Sequence, residues 1–136
     1  MVPKQDIVDE MHEDPDVERI AMEEAIRYER EQGRTPEDVS SQNLGFDVRS
    51  TDSQGHKRYI EVKGRAAIRP VQLTQNEWFK AQRFKDDYYL YVVLNAAIKP
   101  HLYTIPNPAM ILQPDQQIEV RYLVSVQDIT TQGNRA

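Results

Sequence analysis

The sequence predicts an α/β protein. Three observations carry that prediction: an amphipathic helical stretch over 15–32, alternating strand patterns at 45–50 and 57–64 around a turn, and a helix start at Thr74 followed by the run YYLYVVLN at 88–95. The resulting order is helix, three strands, helix, strand, with extra strands toward the C-terminus. At 136 residues the chain fits one domain with a single core. Its expected limits are a polar lead-in over 1–14, a domain over 15–126 and a polar tail over 127–136.

Asp14-Pro15 opens the first helix, with Asp14 as N-cap and Pro15 at the first helical position, where its missing N–H is harmless. Gly33 stops it, and RTPEDVSSQN reads as a loop. GFDVRS and KRYIEVKG are strands joined by TDSQGH, whose Asp, Ser and Gly favour a hairpin turn. IRPVQL reads as a third, shorter strand, placed at an edge or bulge by Pro70. Thr74 and Glu77 form a capping box for a helix reaching about Lys85. YYLYVVLN is aromatic and β-branched, the composition of a buried strand. HLYTI and IEVRYLVSV are further strands, with NPAMIL between them as a short helix capped by Asn107.

Composition limits the function classes. The chain has no cysteine, which excludes disulfides, thiolate metal sites and a cysteine nucleophile and fits a reducing cytoplasm. No apolar run approaches the roughly 20 residues of a membrane helix, and no signal-peptide pattern opens the chain. The net charge of −5 requires any nucleic-acid binding to be local.

The stretch RYIEVKG carries the chemistry. Ile60 and Val62 form one face of the strand, Glu61 and Lys63 the other. With the turn centred on Gln54, Val48 stands opposite Ile60 and Asp47 opposite Glu61, a register that buries Phe46, Val48, Ile60 and Val62 together. Two carboxylates about 5 Å apart repel, and a divalent cation between them reverses the sign. Mg²⁺ or Mn²⁺ suits such a pair and leaves coordination positions for a phosphate oxygen and a water. Lys63 then holds the phosphate or orients the water, the parts needed for phosphodiester hydrolysis. The plainer alternative is a solvated strand face with a Glu–Lys pair.

On the first helix, Val17, Ala21, Met22, Ala25, Ile26 and Tyr28 fill an arc of about 180°. Glu18 and Glu29 fall near its middle, where a carboxylate needs a partner. Either reaches the edge of the metal site, pairs with Arg49, Arg58 or Lys63, or lies on a less buried helix.

Asp47, thirteen residues, then Glu61-Val62-Lys63-Gly64 resembles the D-(x)n-(D/E)-x-K signature of the PD-(D/E)xK nuclease-like superfamily. Phe46 stands where proline usually precedes the aspartate, a departure the superfamily tolerates. Five segments in order, VERIAMEEAIRYEREQGR, DVSSQNLGFDVRS, RYIEVKG, LTQNEWFKAQ and YYLYVVLN, are similar to the NO VEIN C-terminal-like family, a domain often appended to helicases and restriction or defence proteins. The resemblance implies a restriction-endonuclease-like core, a mixed central sheet flanked by helices. It implies Asp47 and Glu61 as metal ligands, Lys63 as catalytic lysine, and Glu18 or Glu29 as the first-helix acid.

Glu77 reads as a capping residue and Trp78 as core. Tyr88, Tyr89 and Tyr91 read as sheet packing, and the three histidines lack metal-ligand spacing. Lys57, Arg58, Arg65 and Arg69 crowd the hairpin and its exit, either for phosphate contacts or for solubility. Two functions follow. One is an Mg²⁺-dependent DNA endonuclease-like domain beside a fused or associated helicase or ATPase; the other is a non-cleaving module that binds nucleic acid or protein through the same surface.

Overall fold

In the computed structural model residues 14–118 and 121–135 are described. Helix α1 (Pro15–Glu31) begins where Asp14 accepts from the N–H groups of Asp16 (3.0 Å) and Val17 (3.4 Å), and it ends before Gly33, whose φ is +79°. Strands β1 (Thr35–Asp38), β2 (Val48–Thr51), β3 (Lys57–Gly64), β4 (Tyr88–Leu94) and β5 (His101–Pro106) form one sheet in the order β1-β2-β3-β4-β5. All neighbours are antiparallel except β3 and β4, so the sheet is mixed. Helix α2 (Gln75–Phe84) makes the crossover that a parallel pair requires.

Side-chain alternation divides the core between two layers. Ala25 of α1 packs against Val48, Ile60 and Tyr91 on one face of the sheet. Ala81 of α2 packs with Val39, Phe46 and Tyr88 on the other. The register joins Val48 to Ile60, as the turn spacing predicts. Phe46, however, does not share a face with Val48: β2 begins only at Val48, and the chain before it turns Phe46 into the α2 layer beside Tyr59 and Phe84.

Three other expectations need correction. RTPEDVSSQN is not all loop, since Thr35–Asp38 pair with β2 as an edge strand. IRPVQL is not a strand: β2 and β4 occupy both sides of β3, so the segment that follows β3 cannot pair with it, and Pro70 offers no N–H to a ladder. The described part of IEVRYLVSV joins no sheet: Tyr122 and Leu123 are exposed, and Ser125 Oγ accepts from Asp128 N–H (3.1 Å) to start helix α4 (Val126–Gln132). Residues 119, 120 and 1–13 lie outside the described residues. The short helix α3 (Pro108–Ile111) forms as predicted, but the Asn107 side chain donates to Asp86 Oδ1 (3.0 Å) rather than capping it.

Among the described residues no helix is long and apolar enough to cross a membrane. Gly64 marks the tightest approach of α1 to the sheet. A Cβ there would lie 2.8 Å from Ala21 Cβ and 3.1 Å from the Val17 carbonyl oxygen, so only glycine lets the N-terminal half of α1 close over the end of β3.

Candidate functional site

At the end of the β2–β3 ladder the strands separate, and the side chain of Asp47 fills the gap. Its N–H donates to the Ile60 carbonyl (2.8 Å), its carbonyl accepts from Val39 N–H (2.9 Å), and its Oδ2 accepts from Val62 N–H (2.9 Å). Asp47 is thereby held by backbone on both sides, which fixes its carboxylate beside Glu61, one residue past the last ladder pair of Val48 with Ile60.

Glu61 does not lie on a solvated face. It is 3% exposed, because α2 covers that side of the sheet. Its carboxyl is within hydrogen-bond reach of Asp47 and of Glu77 from the first turn of α2. Lys63 Nζ lies 2.9 Å from Glu77 Oε1 and 3.5 Å from Glu61 Oε1. Three carboxyl groups and one ammonium therefore share a cleft of about 850 Å³.

Electrostatics follow from this crowding. Burial, then the charges of Asp47 and Glu77, push Glu61 up to about 10, so it holds its proton at neutral pH. Burial also raises Asp47, opposed by the bond from Val62 N–H. Glu77 is lowered: hydrogen bonds from Glu61, Lys63 and the Thr74 N–H outweigh its burial. Lys63 is raised, since the neighbouring carboxylates outweigh the burial that disfavours its charge.

The first-helix acids divide. Glu18 is exposed on the overhanging first turn of α1 and lines the same cleft. Glu29 is fully buried, as its place in the stripe predicts, but on the opposite face of the sheet. There it takes a two-pronged bond from Arg34 (2.6 and 2.8 Å) and the Tyr91 hydroxyl (2.7 Å). These bonds outweigh its burial and keep it ionised, so its partner is none of the three cations expected.

The basic residues divide too. Lys57 and Lys63 stand six residues apart on β3, about 20 Å along an extended strand. Arg58 lies on the α1 face, over the Tyr89 ring (3.9 Å) and bonded to the Tyr91 hydroxyl (3.0 Å). Arg65 alone of the four lines the cleft. Trp78 is half-buried on α2.

Among the described residues no set of three or more His, Cys, Asp or Glu side chains stands in ligand geometry. The donor chemistry nevertheless fits a hard divalent cation: Asp47 and Glu61 offer oxygen ligands only, at a place where like charges now need a proton between them. Glu77 is the site residue that sequence reasoning missed. Its capping-box signal is real, with Thr74 N–H donating to Glu77 Oε1 (2.8 Å), but the same oxygen also receives Lys63, a contact no local pattern encodes. No curated protein and no solved structure matches the chain. The family described as Protein NO VEIN, C-terminal matches residues 17–105, from the first turn of α1 through β5, and the chain belongs to that family.

Proposed function

We propose that the cleft hydrolyses phosphodiester bonds in DNA with the help of Mg²⁺ or Mn²⁺, on a restriction-endonuclease-like core working beside a helicase or other motor. The observation that carries this reading is the convergence of Asp47, Glu61 and Lys63 at the point where β2 and β3 separate. Asp47 and Glu61 would hold the cation. When bound, the ion supplies Lewis acidity toward a phosphate oxygen and lowers the pKa of water. Asp47 is pinned by the Val62 N–H and needs no rearrangement to present its remaining oxygen. Glu61, which burial keeps protonated, would have to give up that proton to serve as a ligand. Lys63, anchored near Glu77, contributes a positive charge for a phosphate oxygen.

The test is incubation with supercoiled and linear DNA in Mg²⁺, Mn²⁺ or EDTA. Cleavage that needs metal and disappears in Lys63→Ala supports the reading; cutting that survives the substitution removes Lys63 from the reaction. A second reading, a non-cleaving module, is favoured by the Glu77 ion pair that already occupies Lys63. It expects DNA or protein binding that is indifferent to metal.

A further inference from the structure

The loop leaving β3 reads Arg65-Ala66-Ala67-Ile68-Arg69-Pro70, and the loop leaving β4 reads Asn95-Ala96-Ala97-Ile98-Lys99-Pro100. Ala-Ala-Ile-cation-Pro thus occurs twice, after two strands that lie side by side and run parallel. The two copies are joined backbone to backbone: the N–H groups of Asn95, Ala96 and Ala97 donate to the carbonyls of Ala67, Arg65 and Ala66 at 3.2, 3.0 and 3.1 Å. Directly beyond these bonds stand Ile68, 78% exposed, and Ile98, 85% exposed. One exposed isoleucine needs no explanation, but two at matching places in a repeated motif, each followed by a cation and a rigid proline, form a pattern.

Charge points to the occupant. The chain carries 22 acidic residues, yet none falls between Lys63 and Glu77 or between Asp87 and Asp115, the two segments that contain these loops. Two adjoining loop segments that bring Arg65, Arg69 and Lys99 together with no carboxylate of their own suit a polyanion. Ligands of open α/β sheets bind beyond the carboxyl ends of parallel strands, and Arg65 continues from the loop into the cleft.

We infer that the paired loops grip duplex DNA, with Ile68 and Ile98 against the sugar and base-step edges of the minor groove and with Arg69 and Lys99 on flanking phosphates. The inference rests on reading the cleft as a site that acts on DNA, and it names the surface that delivers the duplex to it.

Fluorescence anisotropy with a labelled duplex, in EDTA over a range of KCl, tests binding without cleavage. In the Ile68→Ser/Ile98→Ser chain the Kd rises roughly tenfold at unchanged salt slope, because apolar contact is lost and no charge is. In the Arg69→Gln/Lys99→Gln chain the slope of log K against log salt falls by about 1.8, two phosphate contacts at about 0.9 each. Thermal melts check that both variants stay folded. Wild-type Kd and slope in both variants overturn the inference, as does failure of the wild-type chain to bind duplex, the result expected if these loops dock on an acidic protein instead. Variant effects on binding that persist while Mg²⁺ leaves the DNA uncut sustain the grip and remove the hydrolysis reading alone.

Discussion

Lys63 Nζ lies 2.9 Å from Glu77 Oε1, and the same oxygen accepts from Thr74 N–H at 2.8 Å. One carboxylate therefore caps α2 and fixes the lysine of β3 in the cleft. Glu77→Gln keeps an oxygen for the Thr74 bond but removes the charge. The variant should melt close to wild type while losing DNA cleavage through kcat rather than KM, because Lys63 is misplaced and substrate contacts are not. Thr74→Ala separates the two roles: it removes the hydroxyl that Glu77 N–H uses (3.2 Å) and should cost about 1 kcal/mol of stability, read by denaturant melts.

Glu61 should make the protein less stable as pH rises. Its ordinary value of 4.5 is pushed up to about 10 by burial and by Asp47 and Glu77, so between those values the folded chain binds a proton that the unfolded chain has lost. Stability from this group is full below 4.5 and disappears as pH climbs through about 10. Glu61→Gln cannot titrate, so melting temperatures at pH 6 and pH 9 should differ less in the variant than in wild type. An equal pH dependence in both chains refutes the assignment.

Metal and stability are coupled through Asp47. A cation that binds only the folded state stabilises by RT ln(1 + [L]/Kd), about 2.7 kcal/mol at a hundredfold excess over Kd. Mg²⁺ or Mn²⁺ should raise the melting temperature of the wild-type chain. Asp47→Asn retains an acceptor for Val62 N–H but loses a charged ligand, so calorimetry should show a smaller metal shift and no loss of metal-free stability. Equal shifts place the cation elsewhere.

Glu29 belongs to the other layer, and its loss should be structural. Glu29→Ala leaves the Arg34 guanidinium and the Tyr91 hydroxyl without their buried partner, a change worth roughly 3–5 kcal/mol of destabilisation. Denaturant unfolding measures it. In the folded fraction the metal-induced shift should survive, whereas Glu29 as a ligand would abolish it.

The amino-acid sequence by itself determined the helix ends and one decisive register. Asp14-Pro15, Gly33 and the Thr74–Glu77 box set helix ends through backbone valences that neighbours in the chain can satisfy, and these ends appear where they were read. The alternation in RYIEVKG and the length of the turn set Val48 opposite Ile60, because a one-residue slip would turn the apolar set of β3 out of the core. Asp47, Glu61 and Lys63 were legible for that reason. Layer membership was not. Whether Glu29 or Glu18 reaches the cleft depends on which side of the sheet α1 packs and on how far its first turn overhangs, and helical periodicity is blind to both. The meeting of Glu77 with Lys63, the turn of Phe46 into the α2 layer and the joining of the two Ala-Ala-Ile loops likewise arise only when β4 inserts beside β3 and α2 closes over the sheet. Such contacts link residues far apart in sequence, and no local valence specifies them; packing of the two layers decides them.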